Sequence, residues 1–171
     1  MLNAVGAVLI IGATAAIGLS GLWRLGARVR ILAALISALE MAKNEICDRM
    51  TPLPELLERL SQETDPPVDL LFHRVQRQME QIGARSFYLI WKGAVEESSE
   101  LELTKQEEKS LIDLGRTLGR YDTEEQRRAF DYILKRLEAY LKRAEEERRS
   151  SGKVYAVLGF AVGVFVVIIL L

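Results

Sequence analysis

The chain is poor in the residues that most often do chemistry. Its 171 residues include one histidine and one cysteine. A lone histidine, His73, cannot build a two-histidine metal site, and no cysteine lies at ligand spacing from it. A Ser–His–acid set would have only His73 to draw on. The Gly-rich phosphate loop that ends in Gly-Lys-Ser or Gly-Lys-Thr is absent. So are the Glu-x-x-His pairs of a di-metal helical bundle. Cys47 has no partner for an internal disulfide, which fits a reducing compartment. These absences argue against an enzyme and imply no catalytic residue, no cofactor and no metal.

A second scarcity is positional. Residues 1–23 contain no Asp, Glu, Lys, Arg or His, and neither do residues 154–171. All 23 basic and 24 acidic residues lie between Arg24 and Lys153. Two charge-free apolar ends suit a bilayer and not water. As helices they would span roughly 33 Å and roughly 27 Å, against a hydrocarbon core of about 30 Å. The expectation is a transmembrane helix at 1–23, a soluble domain at 24–153 and a second transmembrane helix at 154–171.

Orientation follows from the flanking cations. The first span has no positive region before it, although Ala13-Thr14-Ala15 resembles a signal cleavage site. Its cations follow it instead, at Arg24, Arg28 and Arg30, so an uncleaved anchor is expected. Arg148, Arg149 and Lys153 precede the second span. Both sets lie on the domain side, which places the middle in the cytoplasm of a multi-pass cell-membrane protein. Trp23 and Tyr155 stand at the inner boundaries, where amphipathic aromatics favour the headgroup layer. Gly12 with Ala16, and Gly159 with Gly163, have the small-residue spacing of paired membrane helices. That leaves a homo-oligomer open, as does the plain abundance of Gly in such helices.

The middle is heavily charged but close to neutral, so nothing in it attracts nucleic acid. It shows no strand-like alternation and reads as six helices. The first continues out of the first span, with Val29, Leu32, Ile36, Leu39, Ile46 and Met50 at seam spacing around Lys43. Thr51-Pro52 predicts an N-cap and first turn for a helix over about 52–63. Asp65-Pro66-Pro67 introduces a third helix over about 67–82, with Gly83 as its stop. Ser86 opens a fourth over about 87–97, in which Phe87 and Trp91 share a core face. Thr104 with Glu107 forms a capping box for a fifth, stopping near Gly119. Thr123 with Gln126 repeats that pattern for the sixth, over about 124–149. Its seam of Phe130, Leu134, Leu137, Leu141 and Ala144 is the natural partner of the first helix. Ser150-Ser151-Gly152 reads as a kink before the second span.

Glu96, Glu97, Glu100 and Glu102 lie around the turn between helices four and five, with Glu107 and Glu108 beyond it. They form either a solvated loop or a partner-binding surface for a basic protein.

Several elements, in this order, carry a resemblance. They are the Gly-rich first span, Ser37-Ala38-Leu39-Glu40 with Glu45-Ile46, Thr51-Pro52-Leu53-Pro54-Glu55 and the Phe72-His73-Arg74-Val75 segment. Leu114-Gly115-Arg116-Thr117-Leu118-Gly119 follows, with Asp122 and Gln126, and then the apolar C-terminal stretch. The whole chain resembles the stage III sporulation AB family of endospore-forming bacteria. That resemblance implies a six-helix bundle similar to the cytoplasmic domains of the type II secretion inner-membrane platform protein, here in one copy and not two. It implies a non-enzymatic scaffold in a secretion-like channel between mother cell and forespore, on the mother-cell side. The implied partners are a secretion-type ATPase and ring-forming membrane channel proteins. A membrane-tethered coiled-coil adaptor or sensor, working through protein contacts, is the alternative.

Overall fold

The computed structural model describes the backbone of residues 2–118 and 122–170, and the side chains of residues 23–80, 82–118 and 122–151. Among the described residues there are six α-helices and no β-strand. They are α1 (Leu2–Cys47), α2 (Leu53–Glu63), α3 (Val68–Gln78), α4 (Phe87–Glu97), α5 (Lys105–Leu114) and α6 (Thr123–Leu170). Short 3-10 turns at Met79–Gln81 and Ser99–Leu101 prolong α3 and α4. By backbone proximity, residues 1–29 and 142–171 group as one unit and Arg30–Leu141 as a second.

The second unit is the bundle. Helix α2 packs on α3, α3 on α4, and α4 on α5. Leu32, Leu35 and Leu39 of α1, Leu56 and Leu60 of α2, Phe72 of α3, Ile90 and Trp91 of α4, Leu111 of α5 and Phe130 and Leu137 of α6 are all essentially buried. Each large apolar side chain taken from water contributes about 1.5–3 kcal/mol. This shared core, rather than helix propensity, is what holds short helices of ten or eleven residues such as α5 and α2. Helices α1 and α6 meet through ion pairs whose order runs antiparallel: Lys43 Nζ to Asp131 Oδ1 at 2.5 Å and Arg127 Nη2 to Asp48 Oδ1 at 2.6 Å. These ends of α1 and α6 therefore lie side by side, and Lys43, the off-type seam position, is explained by its pairing.

Local details depart from the sequence reading. Pro52, and not Thr51, is the residue before α2, and its carbonyl accepts the Leu56 N–H at 3.0 Å. The Thr51 hydroxyl has a stronger acceptor in the carboxylate of Glu45. Met50, expected in the α1 seam, is 77 % exposed, because α1 ends at Cys47 and Met50 turns the chain with φ 53°. The buried face of α1 runs instead through Ile31, Leu32, Leu35, Ala38, Leu39 and Ala42. Asp122 caps α6 in place of Thr123, its Oδ1 accepting the N–H groups of Glu124 and Glu125 at 3.0 and 3.1 Å. A carboxylate one residue upstream is the better-placed acceptor. Helix α5 ends at Leu114, before Gly119. Helix α6 passes through Ser150-Ser151-Gly152 without a break, so the expected joint is absent.

Among the described residues no helix is long and apolar enough to cross a membrane. The side chains of 1–22 and 152–171, where both spans were expected, lie outside the described residues. So do the expected packing positions Gly12, Ala16, Gly159 and Gly163, and with them Lys153.

Candidate docking surface

The turn between α4 and α5 is built in three steps. Helix α4 stops at Ser98, whose Oγ donates back to the Ala94 carbonyl at 2.7 Å. The same Oγ accepts from Arg74 Nη1 of α3 at 3.0 Å. The 3-10 turn then carries Glu100 to the same guanidinium, where it forms a close ion pair, and drives Leu101 into the core. Glu102 follows with φ 45°, in the left-handed region, and reverses the chain. Thr104 and Glu107 close the reciprocal capping box expected of them. The Thr104 N–H donates to Glu107 Oε2 at 2.7 Å, and the Glu107 N–H donates to Thr104 Oγ1 at 3.4 Å.

The acidic residues of this turn thus fall into two kinds. Glu107 is buried and Glu100 is half-buried. Burial pushes the Glu100 carboxyl up, but the Arg74 hydrogen bond, a backbone hydrogen bond and the Arg74 charge together hold it below the usual carboxylate range. Both residues serve the fold. Glu96 is exposed and 3.6 Å from Lys92, and Glu108 is 3.7 Å from Lys105. Glu97 and Glu102 are also exposed. A partner could reach Glu96, Glu97 and Glu102.

Away from the turn, toward the other end of the two helices, Trp91 joins α4 to α5. Its indole N–H donates to the Leu111 carbonyl at 2.6 Å, and Phe87 and Phe72 lie 6.2 and 6.3 Å away, ring centre to ring centre. The indole lies directly against Gly115. A Cβ there would stand 2.3 Å from Trp91 Cδ1, far inside van der Waals contact. Gly115 has an ordinary helical φ of −59°, so close approach, and not backbone freedom, demands glycine. Outside this contact Tyr88 receives Arg116 over its ring, at 5.2 Å, and at its hydroxyl, at 3.3 Å.

A second carboxylate centre lies at the turn between α1 and α2. Glu45 is 5 % exposed. Its Oε2 accepts from the Thr51 hydroxyl at 2.6 Å, and its Oε1 accepts from Arg49 and Arg59, each at 2.8 Å. The Thr51 hydrogen bond is the main cause holding its pKa below the usual value, with the two guanidiniums adding to it against the cost of burial. The Thr51 N–H also donates to the Glu45 backbone carbonyl at 2.9 Å. Sequence reasoning noted Glu45 only as part of a motif. Its signal was an acid set among apolar neighbours, with Thr51 and two arginines close in sequence.

Cys47 is buried, its Sγ donating to the Thr123 carbonyl at 3.9 Å, and burial pushes its thiol up. That is the setting of a packed side chain and not of a nucleophile. His73 is exposed on α3. Among the described residues no cluster of His, Cys, Asp or Glu could hold a metal ion. Of the basic residues expected near the membrane, Arg24, Arg30, Arg148 and Arg149 are exposed and Arg28 is half-buried. An open groove of about 550 Å³ separates Ala34, Ser37 and Met41 of α1 from Thr64, Asp65 and Pro66 of the α2–α3 turn.

Comparison with known proteins agrees with this architecture. A family model described as stage III sporulation protein AB matches residues 3–171. The chain is 29 % identical over 172 residues to the stage III sporulation protein AB of Bacillus subtilis (strain 168), covering all of both chains. A solved structure of a stage III sporulation protein AB (SpoIIIAB) superposes with a TM-score of 0.66 at 27 % identity, over 72 % of this chain and 98 % of that one.

Proposed function

Because the chain belongs to the stage III sporulation protein AB family, we propose that it is a membrane-anchored scaffold of a secretion-like channel built during endospore formation. It works by contact and not by catalysis. Its bundle faces the cytoplasm of the mother cell, and its two charge-free ends cross the membrane. The bundle couples a secretion-type ATPase to channel proteins in the bilayer.

The observation that carries this reading is the charge map. Two stretches without ionisable residues are each bordered on the inner side by cations: Arg24, Arg28 and Arg30, then Arg148, Arg149 and Lys153. Retention of such cations in the cytoplasm sets the topology. The exposed acids Glu96, Glu97 and Glu102 offer a surface for a basic partner, and Glu100 supports the turn that presents them. Attraction of this kind chiefly steers association and weakens with salt.

Two measurements test the reading. Gln62 is exposed on α2, whereas Cys47 is buried. A Gln62→Cys variant in intact mother cells should resist a membrane-impermeant thiol reagent and react after permeabilisation. Ready labelling of intact cells would overturn the topology. Affinity purification from sporulating membranes should recover a secretion-type ATPase with channel proteins. Recovery of neither would leave the adaptor reading in its place.

A further inference from the structure

The outer face of α6 carries an arrangement that neither the core nor the acidic turn uses. Tyr132, Arg136 and Tyr140 follow one another at four-residue spacing, which stacks them on one side of the helix. Arg136 Nη1 donates to the Tyr132 hydroxyl at 3.2 Å, and Nη2 donates to the Tyr140 hydroxyl at 3.0 Å. The guanidinium carbon also lies 5.6 and 6.0 Å from the two ring centres. The arginine is clamped between two rings, yet Tyr132 is 62 % exposed. The opposite side of the helix, with Phe130, Ile133 and Leu137, is committed to the core.

The hydrogen-bond inventory of this ladder is one-sided. Each phenol oxygen already accepts from the guanidinium, so its own hydrogen is left to point outward. Arginine has only donors. The ladder therefore presents O–H and N–H groups and calls for acceptors. The nearby acids do not supply them. Asp131 is engaged by Lys43 of α1, and Glu138 lies two residues from both Arg136 and Tyr140, a spacing that does not share a face. Arg128, exposed one turn before Tyr132, adds positive charge. From Tyr132 to Tyr140 the ladder extends about 12 Å along the helix, more than one small anion fills. Tyrosine and arginine are also the residues that most often anchor protein interfaces.

We propose that the Tyr132–Arg136–Tyr140 ladder docks an acidic protein segment, whose carboxylates, spaced along a helix or extended strand, accept from the two hydroxyls and the guanidinium. This surface is opposite in polarity to the Glu96–Glu97 turn, so the bundle can hold a basic and an acidic partner at once. The rigid fork costs little further ordering when a carboxylate binds it.

The test uses the full chain in neutral detergent micelles and a fluorescent alanine-based peptide with glutamate at every fourth position. Anisotropy should show saturable binding, and the same peptide with lysine in place of glutamate should not bind. Arg136→Gln should weaken binding roughly 10-fold, as loss of a charge-assisted, forked contact does. Tyr132→Phe with Tyr140→Phe retains net charge and rings but removes both O–H donors, and should weaken binding several-fold. The Glu96→Lys, Glu97→Lys pair should not weaken it. Melting curves check that each variant remains folded. Equal binding by wild type and the double Phe variant would overturn the proposal in favour of unspecific charge. Arg136-dependent capture of phosphatidylglycerol vesicles without peptide binding would overturn it in favour of a lipid surface.

Discussion

The turns that close α1 onto α2 and α4 onto α5 use the same chemistry to different ends. Each contains a carboxylate that meets an arginine from another helix: Glu45 with Arg59, and Glu100 with Arg74. At the first turn the acid is buried and saturated, with a hydroxyl and two guanidiniums on its two oxygens. At the second it is half-buried, its guanidinium is shared with the Ser98 hydroxyl, and Leu101 beside it enters the core. The first turn is held by its ions. The second is held by packing, with the ion pair added on its surface. That leaves the second turn free to present further charge, in the exposed Glu96, Glu97 and Glu102.

Gly115→Ala is the sharpest way to break the packing of α4 on α5, the two helices that carry the second turn. The new methyl meets a buried indole that has nowhere to retreat, and overpacking of this kind costs about 1–3 kcal/mol. Urea unfolding of the bundle should show the loss. Trp91→Phe in the same background should recover part of it, and a wild-type midpoint for Gly115→Ala alone would mean the two helices separate freely. Glu45→Gln strikes the ion-held turn. It should lower the melting temperature by several degrees and do so more than Glu100→Gln, because the buried Glu45 carboxylate is paired with two guanidiniums and half-buried Glu100 with one. Equal effects would erase the distinction between the turns.

Acid should separate them too. The carboxyl of Glu45 is held below its usual value in the folded chain. Its stabilisation is therefore complete above the unfolded value, about 4.3, and is lost as pH falls through the folded value. A melting series from neutral pH downward should show a fall that Glu45→Gln removes in large part and Glu100→Gln removes in smaller part. Least of all should happen to stability on reversing Glu96 and Glu97 to Lys. Surface changes of this kind stay within about 0.5 kcal/mol. Association with the basic partner should nevertheless drop, and if co-purification of the ATPase is unchanged the acids are only solvated.

What the sequence disclosed follows the range of the forces involved. The Thr104–Glu107 box lies within four residues, and the helix opens where it was expected. The six helices were legible for the same reason, but the buried face of α1 was not, since it depends on which helices pack against it. Thr51 and Thr123 were misassigned because each competes with a neighbour. A buried carboxylate six residues upstream takes the Thr51 hydroxyl, and Asp122 stands one place nearer to the orphan N–H groups of α6. Gly115 caps α5, but its need to be glycine is not local. Its partner is Trp91, twenty-four residues earlier on another helix. The division of the acidic cluster was hidden likewise, since Arg74 reaches Glu100 across twenty-six residues. No local pattern distinguishes Glu100 from Glu97.

The chain's two tryptophans make the bundle observable without a label. Trp23 is 73 % exposed, whereas Trp91 is 2 % exposed, between two phenylalanine rings and against Gly115. Replacing Trp23 by Phe leaves one emitter, sealed in the core and hydrogen-bonded to a backbone carbonyl. Its emission should be blue-shifted and shielded from iodide while α4 and α5 remain together. A red shift would mark their parting, whatever the ends of the chain are doing, and would give the assembly an optical signal that originates in one side chain.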